Sequence, residues 1–336
     1  MKMNSTQKHI IRVLFLHGSD SRKFLSRELG LSQAALTLSV RPLLEEGLLL
    51  ESGKVQTGKA GRTEELLSLN PEYGTYLGVD IRSNHYIVSM MDFKGNLIFE
   101  DRMEKTQDLA VFLKASAFSN RLLGVGVTHH GSRESLVNEK RVETIKETLD
   151  HLGVKNYQFT NNVQALADVY HLFHMEEQNF LLIKYGPGLG SAIYVNGEKI
   201  RRKNGSTSEI GHAYTKEGVT LENSISFETL FQKNVEEKEG ADYLLHEEGK
   251  ANEVIEKLSH ALICADALLA LDRIVFAGIF LSNESIKRRV CEKIKTFDPE
   301  FKEEKVVIYQ NYEEFNAKKA CIQAFIAQFS KSNNEE

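Results

Sequence analysis

The segment Ser208-Glu209-Ile210-Gly211-His212 places a carboxylate and an imidazole three residues apart on a short, glycine-bearing turn. A carboxylate accepts hydrogen bonds and an imidazole can both accept and donate, so the pair either grips a ligand or stabilises its own turn. Upstream, Gly186-Pro187-Gly188-Leu189-Gly190 is a glycine-rich turn between two strand-like runs. Such a backbone can approach a phosphate closely, and it can equally be structural. Adjacent His129 and His130 follow another strand-like run, where they could add hydrogen bonds, respond to pH or stand as solvated loop residues. Cys264, Cys291 and Cys321 lie far apart with no Cys-x-x-Cys or Cys/His spacing. That pattern predicts reduced core thiols in a cytoplasmic protein and no metal ligands.

The elements around these groups fall into two textures. Residues 6–17 carry Ile10, Ile11, Leu14 and Phe15 at helical spacing, and 21–29 form a second short helix after Gly18-Ser19-Asp20. Gly30-Leu31-Ser32 supplies a tight turn whose serine can cap a third helix. On that helix Leu36, Val40, Leu43 and Leu44 share one face and leave Gln33, Ala34, Thr37, Leu38 and Arg41 pointing away, although Pro42 should kink it. Strand-like segments at 48–55 and 65–69 then make a wing, with Lys54 on a strand and Lys59 and Arg62 on the loop. The whole reads as a winged helix-turn-helix. Gln33, Thr37 and Arg41 are placed to meet base edges, and Lys54, Lys59 and Arg62 to meet phosphates or the minor groove.

From Tyr76 onward the texture is α/β. Three strand-like runs at 77–81, 85–93 and 97–103 precede alternating helices and strands, and the pattern begins again at 179–185 and 191–195. The repetition predicts two similar lobes with a ligand cleft. The expected domains are 1–70 for the DNA-reading head, 71–178 for the first lobe and 179–336 for the second, with part of the C-terminal helix returning to the first.

Composition agrees with a DNA-reading head on a sensor body. The 336 residues carry a net charge of −5, yet residues 1–70 hold ten Lys and Arg against seven Asp and Glu, which leaves the body at −8. The early apolar run at 10–16 contains Arg12 and lacks a small-residue cleavage site, which argues against a signal peptide. No stretch approaches the ~18 consecutive apolar residues of a membrane span.

The segments GRTEELLSLNPEYGTYLGVDI, GVGVTHHG, FTNNVQALADVY, YGPGLGSAIYVNGEKIRR and SEIGH, in this order, resemble the ROK family of repressors, open reading frames and sugar kinases. The resemblance implies an actin-like, sugar-kinase (RNase H-like) fold of two lobes, assembled as a homodimer or tetramer. It assigns sugar hydroxyls to Glu209 and His212. It adds Glu228, with Glu222 as the rival, and the pair Asn161 and Asn162 as further effector-binding positions.

Several positions depart from the family pattern. The family's catalytic base is an Asp where this chain has Asn162, whose amide takes no proton at neutral pH. The family's Asp-Ile-Gly-Gly-Thr loop reads Asp80-Ile81-Arg82-Ser83-Asn84, and its triple-glycine loop reads Ala277-Gly278-Ile279. The family's Val-Pro-Gly turn is Thr128-His129-His130-Gly131, and its zinc-binding cysteine run is missing from 218–228. These departures predict a non-enzymatic protein with neither metal nor cofactor. The favoured expectation is a repressor that reads a double-stranded operator and senses a sugar. The alternatives are a DNA-binding regulator whose lobes serve only as a dimerisation scaffold, and a residual sugar kinase.

Overall fold

The computed structural model describes residues 3–56, 63–82, 84–119, 121–130, 136–201, 208–233 and 235–329. The chain divides into two compact units, 1–162 with 317–336, and 163–316.

The first unit opens with helix α1 (Ser5–His17), strand β1 (Ser19–Ser21), helix α2 (Arg22–Glu28), helix α3 (Gln33–Glu45) and the strands β2 (Leu49–Gln56) and β3 (Thr63–Leu69). Each helix starts on a side-chain cap. Asn4 accepts from the Gln7 N–H while Gln7 reciprocates, and Ser21 and Ser32 accept from the N–H groups of Phe24 and Ala35. Ile10, Leu14, Leu25, Leu36, Val40, Leu43 and Leu67 are wholly buried and form the core of this head. One expectation needs correction. Residues 19–21 are not only a turn, because they pair with 66–68 and complete a three-stranded sheet in the order β1-β3-β2. Helix α3 runs on through Pro42 to Glu45, although the proline cannot donate to the Leu38 carbonyl. Lys59 and Arg62 lie outside the described residues.

The rest of the unit is one five-stranded sheet and its helices: β4 (Thr75–Ile81), β5 (Tyr86–Asp92), β6 (Leu97–Met103), α4 (Thr106–Ser119), β7 (Leu122–His129), α5 (Leu136–His151) and β8 (Tyr157–Asn161). The sheet order is β6-β5-β4-β7-β8, antiparallel on one side of β4 and parallel on the other. Parallel neighbours need crossovers, which α4 and α5 supply. Leu77, Val79 and Ile81 of β4 face those helices with Leu109, Leu113, Ile145 and Leu149.

The second unit repeats this plan. Helix α6 (Asn162–Phe173) leads into β9 (Phe180–Tyr185), β10 (Leu189–Val195) and β11 (Glu198–Lys199), followed by α7 (Leu221–Ile225), α8 (Phe227–Phe231), α9 (Glu237–His246) and α10 (Glu248–Leu269). Strand β12 (Arg273–Ala277), α11 (Glu284–Lys295), β13 (Val306–Ile308) and α12 (Tyr312–Phe329) close the chain. The sheet order is β11-β10-β9-β12-β13. Leu181, Ile183 and Tyr185 of β9 face one hydrophobic cluster, and Phe180 and Leu182 face the other. Burial on both faces explains the unbroken apolar character of that strand.

Helix α12 ends in the first unit, on the sheet face opposite α4 and α5. Glycines make its approach possible: a Cβ at Gly78 would meet Cys321 Sγ at 2.9 Å, and one at Gly126 would meet the Ala320 carbonyl oxygen at 1.8 Å. Burial pushes the Cys321 thiol up to about 12, so it stays protonated beside Ser89 Oγ at 3.3 Å. Gly126→Ala is expected to drive the helix off the sheet and to destabilise at the upper end of the about 1–3 kcal/mol range for overpacking. A urea midpoint unchanged from that of the parent would show that α12 does not bear on Gly126. Among the described residues no helix is long and apolar enough to cross a membrane.

Candidate sugar- and DNA-reading sites

In the first unit the C-terminal ends of the parallel strands β4, β7 and β8 gather Asp80, Arg82, Thr128, His129, His130, Asn161 and Asn162. The strand register sets Asp80 beside Thr128, and His129 beside both Ile81 and Asn161. Asp80 is buried and its carboxylate is fully engaged. Thr128 Oγ1 donates to Oδ1 at 2.8 Å, while Lys319 Nζ and Arg82 Nη2 each lie 2.7 Å from Oδ2. Burial alone would raise this carboxyl, but Lys319, Arg82 and His130 outweigh it and hold the group well below the usual carboxylate range.

Lys319 is itself only 1% exposed, so the ion pair is internal to the fold. Burial lowers the His129 imidazole from its ordinary value, which favours the neutral ring at this edge. Asn162 is buried at the start of α6, and its side-chain nitrogen lies 3.2 and 3.3 Å from the two ring nitrogens of His130. Asn161, the last residue of β8, is half-buried beside it.

In the second unit Glu209 precedes the short helical turn Ile210–His212. Ser191 Oγ pins this turn by accepting from the Ile210 N–H at 2.8 Å. His212 is exposed, Glu209 is half-buried, and Glu228 is exposed at the start of α8. Nearby, the glycine-rich turn 186–190 is closed on itself, the Gly186 N–H donating to the Gly188 carbonyl at 3.0 Å. Glu222, the rival to Glu228, accepts from the Leu189 N–H at 3.2 Å. Glu237 accepts from the Ile279 N–H at 3.0 Å and from Lys184 Nζ at 2.7 Å. Backbone N–H groups of the kind that cradle phosphate therefore already hold two of the chain's own carboxylates. Among the described residues, no group of three or more His, Cys, Asp and Glu side chains is arranged to hold a metal ion.

In the head, Gln33, Thr37 and Arg41 share the exposed face of α3, and Lys54 is exposed on β2. Phe15 of α1 packs on α12. Its ring stacks on Phe325 of α12 with centroids 4.0 Å apart, and Tyr76 meets Phe325 edge-on at 5.8 Å. Lys318 Nζ donates to the Gly95 carbonyl at 3.2 Å, and the Tyr76 hydroxyl donates to Gln328 Oε1 at 2.6 Å. One helix thus holds the head at Phe325 and Asp80 at Lys319. Sequence reasoning missed Lys319. The available signal was a lysine pair at the head of the largely apolar run ACIQAFIAQF, together with an aspartate in the apolar strand YLGVDI.

No family model matches the chain. It is 23% identical over 264 residues to the xylose repressor of Staphylococcus xylosus, an alignment spanning 69% of this chain and 68% of that one. Its fold matches a ROK family transcriptional regulator described as a homologue of the E. coli MLC protein. That match has a TM-score of 0.68 and 16% identity, and it covers 96% of this chain and 98% of the other, a span that takes in the head. A ROK family protein from Streptococcus pneumoniae, solved in complex with sucrose, matches 76% of this chain and 98% of its own, with a TM-score of 0.64 and 16% identity. The chain is thus similar in sequence to a xylose repressor and in fold to ROK family proteins.

Proposed function

We propose that this chain, a relative of the xylose repressors with the ROK fold, is a transcriptional repressor that binds a specific operator, responds to a sugar or sugar derivative and does not phosphorylate it. One observation carries the reading. Helix α12 is anchored to the winged head through the Phe325–Phe15 stack and to the strand-end site through the Lys319–Asp80 pair. The two anchors are six residues apart, about 9 Å of helix. A ligand that changes the surroundings of Asp80 thereby has a route to the helix that holds the head, and linkage follows where the ligand favours one of two placements of that helix.

The sugar-reading residues in this proposal are Asn161 and Asn162 of the first unit and Glu209, His212 and Glu228 of the second. Gln33, Thr37 and Arg41 read bases, while Lys54, Lys59 and Arg62 meet the backbone. Two heads in a homodimer or tetramer suit a pseudo-palindromic operator. Absence of kinase activity is supported by three features. Asn162 offers no proton acceptor at neutral pH, Asp80 is committed to Lys319 and Arg82, and the Glu222 and Glu237 carboxylates already take up the Leu189 and Ile279 N–H groups beside glycine-bearing turns.

The test is fluorescence anisotropy on duplex from the chain's own upstream region, at fixed salt, with a panel of monosaccharides and their phosphates. One compound is expected to change operator affinity by about 5- to 150-fold, the usual span of allosteric coupling. Specific binding that ignores every compound would favour a dimerisation scaffold. Nucleotide-dependent sugar phosphorylation in a coupled assay would restore the kinase reading.

A further inference from the structure

We infer that Leu38 is a specificity-determining residue that reads the C5-methyl groups of thymine in the operator's major groove; the inference rests on the DNA-binding function proposed above. Helix α3 buries Leu36, Val40 and Leu43, and turns Gln33, Ala34, Thr37, Leu38 and Arg41 to solvent. Leu38 stands at the middle of this face with 64% of its surface exposed.

Its neighbours make the face more apolar than their names suggest. The Thr37 hydroxyl donates to the Gln33 carbonyl at 2.8 Å, which occupies its one proton. Ala34, one turn before Leu38, adds a methyl group. Arg41 is two-thirds exposed and held only loosely, its Nε 3.9 Å from a Glu45 carboxylate oxygen. The face is thus an apolar strip from Ala34 through Thr37 to Leu38, with an amide at one end and a guanidinium at the other. In the major groove thymine presents a C5-methyl group that no other base carries, and Gln and Arg pair with adenine and guanine. An exposed leucine has no hydrogen bond to offer, so the thymine methyl is the feature of a base edge that it can recognise. The half-site expected is thymine-rich at its centre and bounded by purines that Gln33 and Arg41 can read.

The experiment selects operators from a random duplex library with the full chain. Each thymine of the selected site is then replaced by deoxyuridine, which pairs alike but lacks the methyl group. Losing one buried methyl is expected to weaken binding about three- to five-fold at one or two central positions. In Leu38→Ala the same replacements should change affinity by less than about twofold. Because Leu38 is exposed, the variant should keep the parent's circular dichroism and melting temperature.

Sequence-specific binding by the parent chain that is indifferent to every deoxyuridine would overturn the inference while leaving the DNA-binding function intact. A deoxyuridine effect that persists undiminished in Leu38→Ala would also overturn it, since the methyl would be read by another residue or through DNA shape. A library that yields no selected sequence would overturn the DNA-binding function, and the inference with it.

Discussion

Replacing Lys319 by methionine is expected to destabilise the first unit by about 3–5 kcal/mol, the cost of removing one partner from a buried ion pair. Methionine fills much the same volume, so the loss reports the Asp80 carboxylate left with Arg82 as its remaining cation. The double variant Asp80→Asn/Lys319→Met removes the under-compensated carboxylate and should recover part of that loss, since Arg82 then lacks its partner as well.

The pH dependence has a defined sign. Lys319 and Arg82 hold the folded-state pKa of Asp80 below its unfolded value of about 3.9, so the pair stabilises fully above that value. Its contribution fades as pH falls through 3.9 towards the lower folded value. The gap between the parent chain and Lys319→Met should therefore be full near pH 7 and narrow below about pH 4. Urea titrations at both pH values measure it. A deficit under 1 kcal/mol at pH 7 would show that the pair is not internal to the fold.

Phe325→Ala is the second large effect, at about 3–5 kcal/mol for an aromatic side chain removed from a packed site. Phe325 is wholly buried and touches Phe15, Tyr76 and Phe329. Gln33, Thr37 and Arg41 lie on the exposed face of α3 and take no part in this stack. Operator binding should thus survive where the chain remains folded, while the response to sugar falls below about twofold. Phe15→Leu guards against a chain that simply unfolds, since it disrupts the stack with a smaller loss of volume. Anisotropy with and without the sugar identified by the screen provides the measurement. A sugar response in Phe15→Leu equal to that of the parent chain would refute transmission through α12.

These two predictions concern contacts that no local pattern announces, whereas much of the molecule was legible residue by residue. The head followed from Ile10, Leu14, Leu36, Val40 and Leu43 at helical spacing and from the capping serine Ser32, because helix period and cap chemistry act within four residues. The repeated strand pattern from Tyr76 and again from Asn179 predicted two similar α/β bodies, and the structure has two five-stranded sheets of matching order. Strand β1 was missed because three polar residues, Ser19 to Ser21, carry no alternation of their own and become a strand only through pairing with Leu66 to Ser68. Helix α3 runs through Pro42 to Glu45, its buried face held by the packing of Val40 and Leu43.

By itself the sequence determined most of the elements, the exposed face of α3 and the Glu209–His212 turn, since each depends on residues adjacent along the chain. Tertiary structure alone decided that Lys319 meets Asp80, 239 positions away, and that Glu222 and Glu237 occupy the N–H groups of Leu189 and Ile279. A lysine or glutamate read in isolation belongs in water, because moving its charge into the interior costs several kcal/mol. Only the path of the folded chain supplies the opposite charge or backbone donor that makes such burial stable.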